Sequence, residues 1–206
     1  GICMSVSAQS SFYDDTPSKS QRLRPKYFNL NFSSEKISAG DLFSLKSNIG
    51  AAITTGRSYY LHKTPIAGMI RFGIDATWFD LNYTNYKSEE FYPDTEESDN
   101  MTMHKAEIAM QVGPSITINP ISRLNVHAYF RYAPTFAALY DGASIGGNYA
   151  SYFVAGGMVS YGVIGLGVEA RWGSCKYKAF GSDGEDLMGG LKLKASGLRA
   201  YVSFRF

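Results

Sequence analysis

Cysteine is close to absent: Cys3 and Cys175 are the only two in 206 residues, too few for a disulfide framework or a thiolate zinc cluster. Charge of one sign is missing as well. Lys and Arg number 20 against 18 Asp and Glu, a formal charge of +2, which leaves no basic footprint for nucleic acid. Histidine is limited to His62, His104 and His127. No convincing amphipathic helix is found, and long hydrophobic runs are lacking. One uncharged stretch, YFVAGGMVSYGVIGLGV at 152–168, has 17 residues, five of them Gly. A membrane-spanning helix needs about 20 apolar residues, and the central Ser160-Tyr161-Gly162 suits a hairpin that crosses twice.

What is abundant points elsewhere. Fifteen Tyr, 13 Phe and 21 Gly favour strands and tight turns over helices. The length suits one domain. A mean hydropathy of −0.16 reads as an average soluble protein.

The opening GICMSVSAQ has the form of a signal-peptide tail, with Val6 and Ala8 at positions −3 and −1 of a cleavage site before Gln9. Residues 1–8 are therefore expected to be a signal-peptide remnant. Residues 9–25, polar and holding Pro17 and Pro25, are expected to be a periplasmic tail, and 26–206 the folded domain. Cys175 is assigned no chemistry.

From residue 26 onward the dominant period is 2. Ile70, Phe72, Ile74, Ala76 and Trp78 share one face against Arg71, Asp75 and Thr77. The same alternation recurs with Ile108, Met110 and Val112 against Lys105, Glu107 and Gln111, and with Val126, Phe130 and Tyr132 against His127, Tyr129 and Arg131. It returns with Leu166, Val168 and Trp172 against Glu169 and Arg171, and with Leu198, Val202 and Phe204 against Arg199, Tyr201 and Arg205. The pattern predicts eight strands, at 26–33, 43–59, 66–82, 102–118, 124–140, 149–161, 163–178 and 191–206. The phase of 149–161 stays open, because both its faces are largely apolar. Several runs far exceed the about 5–6 residues of a soluble strand and meet the about 9–11 that a bilayer demands. Short joins at 60–65, 119–123 and 160–162 alternate with longer polar ones at 83–101, 141–148 and 179–190, as in an outer-membrane barrel. The expected fold is all-β, an eight-stranded antiparallel up-and-down transmembrane β-barrel.

Alternation alone does not say which face points inward. A lipocalin-like soluble carrier would bury the apolar face. Sparse charges of both signs on the polar face, aromatics such as Trp78, Tyr132, Phe136 and Trp172 near the ends of the apolar face, and the removal of edges by closure favour the inverse. The bore-facing set is then Lys46, Arg71, Asp75, Lys105, Glu107, His127, Arg131, Glu169, Arg171, Arg199 and Arg205. It holds seven bases against three acids with His127 neutral, and Arg71–Asp75, Lys105–Glu107 and Glu169–Arg171 are its candidate pairs. An eight-stranded barrel is just wide enough for side chains to fill it, so a plug of paired charges is expected. A narrow, anion-favouring channel is the alternative.

The chain resembles the small outer-membrane β-barrel proteins of Gram-negative bacteria, of OmpA/OmpX-like architecture, in the versions of Bacteroidetes-type organisms. The likeness rests on the closing YVSFRF, with Val202, Phe204 and Phe206 at alternate positions like the family's barrel-assembly signal. It rests also on GRSYYLHKTPIAGMIRFGIDATWFDLNY, similar to the family's second hairpin, and on the strand and loop pattern over 26–206. The resemblance implies an outer-membrane location, contact with outer-membrane lipid and lipopolysaccharide, and insertion by the barrel-assembly machinery. It implies no single activity.

Loop 83–101 carries Glu89, Glu90, Asp94, Glu96, Glu97 and Asp99. They form a candidate site for divalent cations shared with lipopolysaccharide, although a solvated loop explains them more simply. Its aromatics Tyr83, Tyr86, Phe91 and Tyr92 could meet an extracellular partner. GSDGED at 181–186 reads as turn chemistry. Only His104 sits where rim catalysis would need a base, and no serine is tied to it by a motif. No enzyme activity, cofactor or resident metal is expected.

Overall fold

The computed structural model of the chain describes residues 23–39, 43–47, 50–87, 102–121, 123–140, 145–176 and 192–206. In chain order the strands are β1 (Lys26–Ala39), β2 (Phe43–Lys46), β3 (Gly50–Tyr60), β4 (Ile70–Lys87), β5 (Thr102–Ile121), β6 (Leu124–Tyr140), β7 (Ile145–Tyr161), β8 (Ile164–Lys176) and β9 (Lys192–Arg205). Each of β3 to β8 pairs antiparallel with the next, and β1 closes the ring on β9 from Tyr27 opposite Arg205 to Ser38 opposite Lys194. The barrel has eight staves, because β2 and β3 together make one. β1 pairs with both, setting Lys36 opposite Lys46 and Ser33 opposite Gly50, and the register slips by one residue between them. At the slip, Ser47 N–H donates to the Glu35 carbonyl and the Glu35 N–H donates to Ser47 Oγ, both at 2.8 Å.

The single strand expected over 43–59 is therefore interrupted. The segment expected to begin a strand at 66 is instead a turn to Met69, in which Ala67 and Gly68 hold φ of 51° and 73°. β1, β4 and β5 run further than the alternation suggests, so Tyr83 and Tyr86 belong to β4. The short turns gather at one rim together with both ends of the barrel chain, where Lys26 N–H meets the Phe206 carbonyl and Phe206 N–H the Lys26 carbonyl. The connections at 40–42, 88–101, 141–144 and 177–191 leave from the other.

The pleat sends alternate side chains to opposite faces, and here the polar set goes in. Lys105 and Arg199 are each 1% exposed, whereas Leu166 is 65% and Trp78 52% exposed. β7, whose phase the alternation leaves open, turns Tyr152, Val154, Met158 and Ser160 inward and Phe153, Val159 and Tyr161 outward. One bulge departs from the pattern. Between Thr77 and Asp80, β4 has one residue more than either neighbour, so Trp78 and Phe79 both face outward and Asp80 turns in.

Four of the 15 tyrosines and four of the 21 glycines are matched to one another. Tyr27, Tyr129, Tyr152 and Tyr201 point into the bore, each directly opposite a glycine on the next stave, namely Gly56, Gly156, Gly173 and Gly167. A Cβ on Gly56 would stand 2.3 Å from the Ala76 carbonyl oxygen and 2.4 Å from Tyr27 Oη. Absent side chains make room for rings that must lie across the wall. Gly56→Ala is expected to cost about 1–3 kcal/mol, read as a lower urea midpoint for unfolding in detergent micelles. Gly157→Ala, whose Cβ would meet nothing nearer than the His127 carbonyl at 3.5 Å, should leave the midpoint unchanged.

Candidate functional site

Among the described residues ionisable side chains converge in the bore, from β1, β4, β5, β6, β8 and β9, with Ser58 of β3 and Tyr152 of β7 as hydrogen-bond donors. Toward the loop rim, Glu35 of β1 and Glu107 of β5 share Lys105 and Arg171. Lys105 Nζ lies 2.7 Å from Glu107 and 3.3 Å from Glu35, and Arg171 Nη1 lies 2.8 and 3.7 Å from the same two. Asn82 donates to both carboxylates at 3.1 and 2.9 Å. The Arg171 guanidinium also lies 3.8 Å over the Tyr152 ring, a cation–π contact strengthened by exclusion of water.

Midway down, Arg199 bridges Asp80 at 2.9 Å and Glu169 at 3.2 Å. Gln111 donates to Asp80 and accepts from Arg131, joining this layer to the next. Toward the turn rim, Asp75 is 0% exposed and takes four donors. They are Arg131 at 3.0 Å, His127 Nε2 at 2.8 Å, Tyr27 at 2.6 Å and Ser58 at 2.8 Å. Arg131 lies 3.5 Å over the Tyr129 ring, and Arg205 donates to the Arg24 carbonyl at 3.4 Å.

Ten of the eleven ionisable bore residues named from the sequence are buried: Arg71, Asp75, Lys105, Glu107, His127, Arg131, Glu169, Arg171, Arg199 and Arg205. Their pairing differs from sequence proximity. Lys105 does meet Glu107, but Asp75 is held by Arg131 and His127, Arg171 by Glu107 and Glu35, and Glu169 by Arg199. Residues two or four apart on one stave point the same way with Cα atoms about 7–14 Å apart, a span that Lys105 and Glu107 bridge but Arg71 and Asp75 do not. The expected excess of bases also shrinks. Glu35 lies beyond the expected end of the first strand and Asp80 follows the bulge, and the sequence reading missed both. Six buried bases face five buried acids among the described residues, and the side chain of Lys46 lies outside them.

One arrangement has the hydrogen-bond order of a hydrolase triad: Thr117 Oγ1 is 2.8 Å from His127 Nδ1, and His127 Nε2 is 2.8 Å from Asp75. It has no substrate space. The gap beside His127, about 160 Å³ between Tyr27, Tyr129, Arg131 and Arg205, is nowhere wide enough for a water-sized sphere. His104 is turned outward, stacked on Tyr83 with its Nδ1 2.6 Å from the phenol oxygen. No serine, threonine or cysteine joins it among the described residues. No described cluster of His, Cys, Asp and Glu could hold a metal ion. The carboxylates Glu89, Glu90, Asp94, Glu96, Glu97 and Asp99, with residues 1–22, fall outside the described residues. Val202, Phe204 and Phe206 lie on the outer face of the closing stave, Phe206 being 59% exposed.

The exterior completes the orientation. Phe130, Tyr132, Phe153 and Trp172 form a run of ring contacts at 5.6–6.2 Å on the outer wall, and Tyr59 meets Trp78 edge-on at 6.4 Å. An apolar outside around a charged inside is stable only in lipid. The chain is a transmembrane barrel of the outer-membrane type, and the soluble-carrier alternative has the wrong face inward. No family model and no curated protein matches the chain. Its fold is similar to that of Neisserial surface protein A, with a TM-score of 0.51 and 17% identity over 88% of this chain and 97% of that one. Ail, the attachment invasion locus protein of Yersinia pestis, also matches, at a TM-score of 0.47 and 10% identity over 89% of this chain and 100% of that one. The first likeness establishes the closed barrel fold.

Double-mutant cycles in micelles are expected to give a coupling of about 1–3 kcal/mol between Arg171 and Glu107 and close to none between Arg171 and Glu169. A larger value for the second pair would refute this register.

Proposed function

We propose that the protein is an integral component of the bacterial outer membrane with a structural or surface-interacting role, and that its bore does not conduct. The observation that carries this reading is the ion-paired filling of the bore, from Glu35 and Lys105 down to Asp75 and His127. Moving an ion along it would mean parting buried pairs, each break costing about 3–5 kcal/mol. With five buried acids against six buried bases among the described residues, little net field is left to favour an anion.

With conduction and catalysis unsupported, the surfaces that remain for function are the loops and the lipid-facing wall. Insertion by the barrel-assembly machinery through Val202, Phe204 and Phe206 fits the apolar outer face of the closing stave. An extracellular partner would meet the connection that follows β4, whose aromatics and six carboxylates give it both apolar and charged contacts.

Two measurements test the reading. Detergent-extracted protein should migrate differently on a gel before and after boiling, as a closed barrel does. Planar bilayers should show no steady unitary conductance. Regular single-channel steps would replace the plug with the channel.

A further inference from the structure

Exposed tyrosines are ordinary on the outer wall of a membrane barrel, but one of them is hydrogen-bonded to a base. The Tyr83 oxygen lies 2.6 Å from His104 Nδ1, and the two rings stack with centroids 6.0 Å apart. Tyr132, by contrast, shares a hydrogen bond with the hydroxyl of Ser151, at 3.0 Å. The difference is chemical. A phenol beside an imidazole has somewhere to send its proton when a Lewis acid takes the oxygen, because a neutral histidine keeps one ring nitrogen as an acceptor. A serine hydroxyl is no base at neutral pH.

The register sets this dyad beside a shelf in the wall. Leu81, Ile108 and Phe136 stand directly opposite one another across β4, β5 and β6, all exposed, and form an apolar row. The next outward row toward the loop rim is Tyr83, Ala106 and Ala138. Its two alanines are short beside their neighbours, so the surface steps inward next to the phenol. From β4 to β6 is two strand spacings, about 10 Å, close to the width of a porphyrin macrocycle. A free metal ion bound by the protein wants three or more side-chain ligands, and no such group of His, Cys, Asp and Glu occurs among the described residues. A single axial oxygen suffices for an iron that arrives with four nitrogens of its own, and tyrosine is an established axial ligand of haem.

We propose that Tyr83 and His104 form a binding site for ferric haem on the outer wall near the loop rim, with an apolar edge of the macrocycle over Ala106 and Ala138. The iron–oxygen bond to Tyr83 forms as the phenol O–H bond breaks. The proton passes to His104 Nδ1, and a water leaves the iron. His104 is thus a positioning residue that acts through Tyr83. The site gives the surface-interacting reading a ligand and does not depend on whether the bore conducts. The probe is ferric haem titrated into the barrel in phosphatidylcholine nanodiscs, with empty nanodiscs measuring uptake by partition alone. Saturation at one haem per barrel is expected, with a high-spin ferric spectrum and tyrosinate modes in resonance Raman scattering. Tyr83→Phe should abolish those modes and weaken binding about tenfold. His104→Gln, which can hydrogen-bond the phenol but not take its proton, should shift the modes and weaken binding by a similar factor. Ala106→Leu should weaken binding by filling the shelf, whereas Tyr132→Phe, which removes an exposed phenol without a base, should change nothing. Uptake no greater than that of empty nanodiscs would overturn the proposal, as would undiminished binding by Tyr83→Phe or His104→Gln, or a low-spin imidazole spectrum. Any of these with heat-modifiable migration intact would leave the barrel reading standing.

Discussion

Five carboxylates confined to the bore of a barrel otherwise sheathed in apolar side chains set the terms for the rest of this molecule. Each is taken out of water and must be answered by a cation or several donors, since an unpaired buried charge is far more costly than an unmade contact. Asp75 with four donors, and Glu107 held between Lys105 and Arg171, are local solutions to that requirement. Because the partners come from different staves, satisfying the charges also aligns the wall. A shift of one residue would turn every stave inside out, leaving carboxylates in lipid and phenylalanines in the bore.

The width of the bore follows from the same economy of space. Arginine, lysine and four tyrosine rings fill a ring of eight staves only because glycine stands opposite each ring. Among the described residues this packs the bore with polar side chains and leaves the apolar ones to the outer wall. Four of the 15 Tyr and four of the 21 Gly are accounted for by these opposed pairs in the interior.

Much of this was legible in the alternation. Arg71, Lys105, His127, Arg131, Glu169 and Arg199 declare their face by standing between apolar neighbours, and so does the number of staves. Four features were not legible, for physical reasons. Asp80 follows an extra residue in β4, and the adjacent Trp78 and Phe79, two apolar residues in succession, were the only sign of it. Glu35 lies past Ser33 and Ser34, where small polar residues blur the alternation. Partner identity depends on inter-strand register, which one strand's pattern does not encode, so Arg171 was assigned to its near neighbour Glu169 instead of Glu107. The two faces of β7 were indistinguishable because Val154 and Met158 face inward against rings and aliphatic stems, with no charge to mark the side.

The join between β1 and β9 brings together the two ends of the barrel sequence, with Tyr27 opposite Arg205. Time therefore enters the architecture. Until the last stave has been made and delivered, the first has an unpaired edge over most of its length, and Arg199 is not yet present to meet Asp80 and Glu169. Contacts this distant along the chain make for slow folding, and an open apolar sheet is prone to associate with other chains in the interval. The wall closes where β1 meets β9, but every molecule must pass through a period in which those two edges are open.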